Sequence, residues 1–367
     1  MRPLALAVTA SAAVVLGAPY VGQIRGALQT VLPRQYVAIV AGVVAGSLLV
    51  AMVVAVITIR THRRVRYAAV LGAVTIGATY AFMTRTGNAE VDAVEQFHFV
   101  EYGLLAWLFY RVWQSAPDVT AVTLPLAAGT AVGIVDEWFQ WFIPSRVGDL
   151  RDVLLDAVAV ACGLLFAIAV RPPRSRRLPA DRRSRTKLAA GLTGAMALAA
   201  LFVFIVHTGH EIRDPDTGTF RSRFERTELE RQSSDRAGRW KKRPPVEDSL
   251  LAREDQYLAE GRWHIQRRNE AIGMNDLRSA VAENRILEKF FAPAIDLGIP
   301  GSRWSPEAEV PSTTDPAEYV SDAAPYAIYA WNPWAYWGIV AGVLGGLWSF
   351  VRAGAASQAP DVPRPCA

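Results

Sequence analysis

Long apolar runs are the feature that most constrains the fold of this chain. The clearest run covers residues 36–59 and ends at a basic segment, residues 60–66. About 20 apolar residues are enough for a helix to cross the hydrocarbon core of a membrane, where the backbone must satisfy its own hydrogen bonds. The predicted spans, about eight in all, are residues 4–20, 36–59, 67–84, 94–112, 119–143, 152–170, 188–207 and 331–351.

These runs predict an all-α fold, a polytopic transmembrane helix bundle with a small helical extracytoplasmic domain. A soluble protein of 367 residues could bury a large core, but its apolar residues would recur at a period of two or about 3.6 instead of in continuous runs. The two cysteines exclude a disulfide framework. The net charge of +5 does not indicate a nucleic-acid partner, because the arginines cluster beside the predicted spans.

Two basic segments orient the predicted spans. Residues 60–66 and 171–187 are rich in arginine, and such segments stay in the cytoplasm. An even number of spans separates them, so both fit one orientation. It places residues 85–94, 144–151 and 208–330 outside. We therefore expect a multi-pass protein of the bacterial cytoplasmic (inner) membrane, in which residues 208–330 are extracytoplasmic.

Changes in composition divide the chain into successive segments. Residues 4–20 resemble a signal peptide, but in a polytopic chain we interpret them as an uncleaved first helix. The segments are N-terminal transmembrane helices at 1–66, a transmembrane domain at 67–170, a basic cytoplasmic loop at 171–187, a transmembrane helix at 188–207, an extracytoplasmic helical domain at 208–330, a C-terminal transmembrane helix at 331–351 and a cytoplasmic tail at 352–367.

The segment 208–330 has mixed charges and little continuous hydrophobicity. Residues 249–271 and 275–295 have apolar positions near the helical period and predict an amphipathic helix pair. Residues 298–322 contain several prolines and serines and predict a linker. An aromatic stretch at 326–337 predicts a belt at the outer membrane interface.

Three histidines of the second half of the chain are isolated from other metal-ligating residues. Isolated histidines usually lie at a surface or interface, and we expect the same here. These residues are His207, His210 and His264.

Residues 133–163 carry ionisable side chains between apolar flanks. Each such group costs about 2.5–3.5 kcal/mol at the centre of a membrane helix on insertion scales, so it usually faces a bundle interior or a water-filled cavity. Asp136 or Glu137 shares a helical face with Gln140, and Pro144 is expected to end that helix. The next helix has acidic residues on one face, and a short loop joins the two helices. The acidic residues are Asp149, Asp152 and Asp156, and the loop carries Arg146.

Two patches of this region resemble the signatures of VanZ-like membrane proteins. The resemblance covers roughly residues 67–170, and the combination of the two patches is more specific than any single acidic pair. The chain has Asp156 where the family usually has asparagine. The first patch is Glu95-Gln-Phe-His98-Phe-Val-Glu101-Tyr102, and the second is Asp136-Glu137-x-x-Gln140-x-Phe142-x-Pro144-x-Arg146 followed by Asp149-Leu-x-Asp152-Val.

The resemblance implies a protein of the bacterial envelope. The founding member of the family is associated with low-level resistance to the glycopeptide teicoplanin, and no biochemical activity is firmly assigned to the family. Together with the predicted orientation, the two signatures place three polar stripes at the extracytoplasmic side, where we expect a polar pocket. Its predicted residues are Glu95, His98, Glu101, Tyr102, Asp136, Glu137, Gln140, Arg146, Asp149, Asp152 and Asp156.

The preferred function is non-catalytic. The pocket would recognise an envelope component, either a lipid or a lipid-linked cell-wall precursor, or shield it from a glycopeptide, with Arg146 as the contact for phosphate or carboxylate. The expected partners therefore include membrane lipids. One alternative is an intramembrane hydrolase or transferase that uses His98 and a carboxylate on a lipid-linked substrate. Another is a structural subunit, in which the polar residues only hold helices together. We expect no cofactor and no metal, because one histidine among carboxylates is not a dedicated metal signature.

Overall fold

We describe the protein from a computed structural model. The described residues are 2–32, 34–143, 146–175, 177, 181–245, 256–304 and 316–356, with side chains up to residue 349. Several predictions fall outside them. These concern Pro144, the first residues of the helix predicted at 249–271, the middle of the linker predicted at 298–322 and the end of the tail predicted at 352–367.

The described chain is predominantly helical, which confirms the predicted all-α bundle. A short π-helical turn, Val203–His207, continues helix α7, and one hairpin contains both named strands. The elements are α1 (Arg2–Val31), α2 (Tyr36–Thr58), α3 (Arg63–Met83), α4 (Ala89–Trp113), α5 (Thr120–Gln140), α6 (Leu150–Val170), α7 (Arg182–Phe202), β1 (His210–Asp214), β2 (Gly218–Ser222), α8 (Arg226–Arg239), α9 (Gln256–Gly273), α10 (Leu277–Phe290), α11 (Ala292–Asp296) and α12 (Pro333–Ala356).

The chain folds as two compact units. The first, unit 1, contains Met1–Glu137, Leu150–Leu201 and Trp337–Ala367. The second, unit 2, contains Trp138–Asp149 and Phe202–Tyr336. Unit 1 therefore holds the long apolar helices, and unit 2 holds the hairpin, α8 to α11 and the loop that follows α5.

Five described helices are long and apolar enough to cross a membrane. They are α1, α2, α3, α6 and α7 with its π-helical turn, and each coincides with a predicted span. The other three predicted spans form α4, α5 and α12, which have 25, 21 and 24 residues. Apolar side chains on α2 are exposed, for example Leu49 at 66% and Ile57 at 61%. Exposed apolar surface of this extent is typical of contact with lipid.

Helix α1 is longer than the predicted span at residues 4–20. It continues through Pro19 to Val31, and its side chains contact α4. Gln29 Nε2 donates a hydrogen bond to Glu90 Oε2 at 2.5 Å, and Ala10 packs against the core of unit 1. Packing against a neighbouring helix stabilises the extra turns, whereas the prediction considered only the apolar run.

Unit 1 is built around α4 and α6, which cross at two glycines. A Cβ atom added to Gly163 would lie 2.5 Å from Gly103 Cα, so only glycine permits this approach. The core beside the crossing contains Tyr102 and Val160, both buried. At the arginine-rich end of the unit, Arg66 Nε donates to the backbone oxygen of Ala169 at 2.6 Å. Such bonds satisfy carbonyl groups that the end of a helix leaves without intrahelical partners.

Unit 2 contains a hairpin that the purely helical prediction for residues 208–330 missed. Strands β1 and β2 pair antiparallel, with Ile212 opposite Phe220, and both side chains are buried. Two five-residue strands are too short to give a strong periodic signal in the sequence. The predicted helix pair is confirmed as α9 and α10, which pack around Phe220, Phe290 and Phe291.

Two histidines of unit 2 are buried, contrary to the prediction of a surface or interfacial position. His264 Nδ1 lies 2.7 Å from Glu283 Oε2, and both side chains are at most 1% exposed. His207 is 0% exposed, and its Nδ1 lies 2.8 Å from the backbone oxygen of Ala327. Hydrogen-bonded partners from distant parts of the chain make this burial tolerable. His210 is exposed, as predicted.

The described ends of the predicted linker at 298–322 are also part of the folded unit. Arg268 is fully buried and donates to the backbone oxygens of Gly301 and Ser302 at 2.5 and 3.0 Å. Ser321 is buried and bonded to Glu283. Side-chain bonds from other helices therefore order segments whose composition alone suggested a linker.

Candidate functional site

The first signature lies in the first half of α4. Asn88 caps this helix, because its side-chain oxygen accepts hydrogen bonds from the backbone nitrogens of Glu90 and Val91 at 3.0 and 3.4 Å. Glu90 and Asp92 in the first turn add negative charge where the helix dipole is positive. The cap fixes the start of α4, and His98 and Tyr102 then lie one helical turn apart on the same face.

Two hydrogen-bonded pairs join α4 to α6 and α5. His98 Nδ1 lies 2.7 Å from Asp156 Oδ1, and the Tyr102 hydroxyl donates to Asp136 Oδ2 at 3.0 Å. The rings of His98 and Tyr102 are stacked with their centroids 5.8 Å apart. We call His98, Tyr102, Asp136 and Asp156 the polar cluster. The structure thus brings together one or two residues from each of the three predicted stripes.

Gly133 makes room for the polar cluster on α5. A Cβ atom at this position would lie 2.8 Å from Asp156 Cβ and 2.9 Å from Asp156 Oδ2. Glycine therefore lets α6 bring its carboxylate against the backbone of α5.

The polar cluster is buried, but His98 keeps some exposure. The side chain of Asp156 is 0% exposed and that of His98 is 14% exposed. The charges of Glu101 and Asp152 act on His98, and that of Glu137 acts on Tyr102. These three predicted site residues therefore lie close enough to act on the cluster, and His98 is its most exposed member.

Four other predicted site residues have different partners. Glu95 Oε1 accepts a hydrogen bond from Arg151 Nη2 at 2.6 Å, and the same nitrogen donates to the backbone oxygen of Thr84 at 2.8 Å. Gln140 Oε1 accepts from Arg146 Nη2 at 2.7 Å. The remaining three residues lie in unit 2, whereas the polar cluster lies in unit 1. They are Gln140, Arg146 and Asp149.

Residues outside the predicted site hold the loop that follows α5. Trp141 Nε1 donates to the Tyr326 hydroxyl at 3.1 Å, and the Arg223 guanidinium lies 4.6 Å from the centroid of the Trp141 ring. Sequence reasoning missed Trp141, although it lies between two signature positions. It missed Arg223 and Tyr326 because nothing local to them points to a loop that precedes them by many residues.

The arrangement in the polar cluster suits proton transfer and recognition of a polar group. A carboxylate bonded to one imidazole nitrogen fixes the orientation and tautomer of a histidine, as in catalytic dyads and triads. Tyr102 adds a hydroxyl bonded to a second carboxylate. Within the residues that the structure describes, no group of three or more histidine, cysteine or acidic side chains is placed to hold a metal ion.

The fold and this cluster define a class of protein, the polytopic α-helical membrane proteins with a buried polar cluster inside their helix bundle. The family model described as VanZ/LLP1 matches residues 47–171, about a third of the chain, and supports a VanZ-like assignment for this part. The match includes both signature patches and begins within α2. No curated protein and no solved structure matches the chain.

Proposed function

We propose that this membrane protein recognises or shields an extracytoplasmic component of the bacterial envelope, either a lipid or a cell-wall precursor. The convergence of His98, Tyr102, Asp136 and Asp156 inside the helix bundle is the observation that carries the proposal. Buried ionisable groups in membrane segments are costly and usually serve function.

The distribution of charge supports the extracytoplasmic side. His98 and Asp156 lie in the first halves of α4 and α6, whereas Arg66 lies in the first turn of α3 and Arg171 directly follows the end of α6. Arginine-rich ends of membrane helices stay in the cytoplasm. On this assignment the protein belongs to the inner membrane, and the polar cluster is near the side where lipid-linked wall precursors are exposed.

A glycopeptide-susceptibility assay tests the proposal. Cells would express the wild type, Glu137→Gln or Arg146→Ala, and teicoplanin susceptibility and membrane levels of the protein would be measured together. Glu230→Gln and Arg231→Ala are matched controls, because they make the same changes at exposed positions of α8. We expect the first two variants to insert normally and lose protection, and the controls to keep it.

Two outcomes contradict this function. If both site variants insert normally and susceptibility does not change, the two residues have no role in protection from glycopeptides. Failure of both variants to accumulate indicates that the residues hold the helices together, which is the structural alternative.

A catalytic role is the second candidate, and the His98–Asp156 pair favours it. The pair would orient His98 as a general base or acid on a lipid-linked substrate, in a hydrolase or transferase reaction. His98→Gln would then abolish turnover of that substrate by the purified protein but leave its binding intact. Equal loss of binding and turnover would favour recognition without chemistry.

A further inference from the structure

We propose that the part of unit 2 that follows α7 positions the signature loop, whose described residues are 141–143 and 146–149, through the side chain of Trp141. The inference deepens the proposed function and rests on it for its biological consequence, because this loop carries Arg146 and Asp149. It assigns a positioning role to the domain that follows α7.

Trp141 is the anchor of the loop. Its side chain is 2% exposed, and three groups of the 202–336 part of unit 2 contact it. Tyr326 accepts a hydrogen bond from the indole at 3.1 Å, Gln256 Nε2 donates to the backbone oxygen of Trp141 at 3.0 Å, and Arg223 stacks on the ring. A buried tryptophan that pairs its N–H in this way has one orientation, so the following residues have a fixed starting point.

The side chains that contact Trp141 make further hydrogen bonds of their own. The Tyr326 hydroxyl donates to Gln256 Oε1 at 3.1 Å, which closes a ring of bonds with the loop. Arg223 Nη1 donates to the backbone oxygen of Val206 at 2.6 Å, and its backbone nitrogen donates to Glu260 Oε1 at 3.0 Å. A chain of bonded groups moves less than a single flexible contact, so the domain offers Trp141 a preorganised surface.

The far end of the loop belongs to the same compact unit as this domain. The charge of Asp149 acts on His207, whose ring packs edge-on against Tyr326 with centroids 5.5 Å apart. Between these two ends, Arg146 bonds Gln140 at 2.7 Å. Trp141 is thus the fixed point of the loop, and Arg146 follows it by five positions in the sequence.

Cysteine labelling of the loop tests the positioning role directly. The full-length chain with Cys162→Ala and Cys366→Ser would carry Val147→Cys, and its rate of reaction with a maleimide would be measured in detergent micelles. We expect Tyr326→Phe to raise that rate about fivefold, as loss of a hydrogen bond worth about 1 kcal/mol predicts. Trp141→Phe, which removes the indole N–H, should change the rate in the same direction.

Tyr257→Phe is the matched control. Its hydroxyl donates to the backbone oxygen of Phe290 at 2.7 Å in the same domain, whereas that of Tyr326 is bonded to Trp141. We expect its labelling rate to equal that of the background. The proposal is overturned if neither Tyr326→Phe nor Trp141→Phe accelerates labelling, or if Tyr257→Phe accelerates it as much.

Teicoplanin susceptibility of the same variants separates this inference from the proposed function. Faster labelling with a loss of protection in Tyr326→Phe supports both. Faster labelling with unchanged protection supports the positioning role and contradicts the proposed function, since the labelling assay requires no ligand.

Discussion

The imidazole of His98 on α4 and the carboxylate of Asp156 on α6 meet at 2.7 Å, although 58 residues separate them in the chain. Asp156 is fully buried, and the bond to His98 gives its carboxylate a polar partner within the bundle. In this chain an aspartate stands where VanZ-like proteins usually have asparagine, and the structure explains how the bundle accommodates the added charge.

Substitution of Asp156 should separate the role of its charge from that of its hydrogen bond. Asp156→Asn keeps an oxygen for His98 Nδ1 and should cost little stability. Asp156→Leu removes the acceptor and leaves a buried polar nitrogen, which costs about 1–3 kcal/mol. Thermal unfolding in detergent, followed by a dye that reacts with buried Cys162 in a Cys366→Ser background, would rank the variants. Equal destabilisation by both would show that the charge itself matters.

Gly163→Ala should loosen the contact between α4 and α6. The added methyl group would lie 2.5 Å from Gly103 Cα, so the helices must separate, and overpacking of this kind costs about 1–3 kcal/mol. The midpoint of thermal unfolding in detergent measures the effect. Gly72→Ala is the control, because its Cβ would meet nothing within 4 Å. A Gly163→Ala midpoint as high as that of the control would contradict the close approach.

Arg66→Ala should destabilise unit 1 at its arginine-rich end. Arg66 Nε and Nη2 donate to the backbone oxygens of Ala169 and Val170 at 2.6 and 2.5 Å, and bonds to a charged group contribute about 1.5–3 kcal/mol. Arg64→Ala removes a neighbouring exposed charge and should cost less. Membrane levels and the midpoint of thermal unfolding would be measured for both variants. Equal effects would indicate that Arg66 contributes only to the orientation of the helices in the membrane.

The buried carboxylates of unit 2 should make its stability depend on pH. Burial opposes ionisation of Glu283, but bonds to His264, Ser321 and Tyr319 outweigh it and hold the pKa of this carboxyl below its usual value. A lowered folded-state pKa contributes stability above the unfolded-state pKa of about 4.3, and this stability is lost as the pH falls through the lowered value. Burial raises the pKa of Glu260. Ionisation of this carboxyl therefore lowers the stability of the folded state as the pH rises, which is the opposite of the effect of Glu283.

The comparison of wild type with Glu283→Gln isolates the contribution of the Glu283 carboxylate to the pH dependence of stability. We expect the wild type to be more stable at neutral pH, and the difference to narrow once the pH falls below about 4. Unfolding in detergent, followed by tryptophan fluorescence between neutral and acidic pH, measures the difference. Glu230→Gln at an exposed position should give a small difference at every pH. A Glu283→Gln difference that stays constant with pH would contradict the lowered pKa.

Labelling of residue 234 should test the sidedness of the domain after α7. Ser234 is exposed on α8, and Ser234→Cys in a cysteine-free background should react with an impermeant maleimide in intact spheroplasts. Arg64→Cys within the basic segment should react only after lysis. Reaction at residue 234 only after lysis would reverse the orientation and place the polar cluster on the cytoplasmic side.

Local patterns in the sequence were enough to predict the class of fold and to select the residues that form the polar cluster. The run at 36–59 became α2, and the amphipathic stretch at 275–295 became α10 and α11, because helix formation depends on residues a few positions apart. The signature residues identified the helices that converge. Helical spacing placed Asp136 and Asp156 on polar faces of their helices, and both side chains are buried in the structure.

The tertiary structure alone decided which of these residues meet. Nothing in the sequence indicates that His98 bonds to Asp156 or that Glu95 bonds to Arg151. The contact of the Arg223 guanidinium with the Trp141 ring is equally hidden in the sequence. The burial of His264, which contradicted the prediction, likewise depends on Glu283 from another helix. Periodicity specifies which face of a helix is polar or apolar, whereas the choice of partner depends on how helices pack at positions such as Gly103 and Gly163.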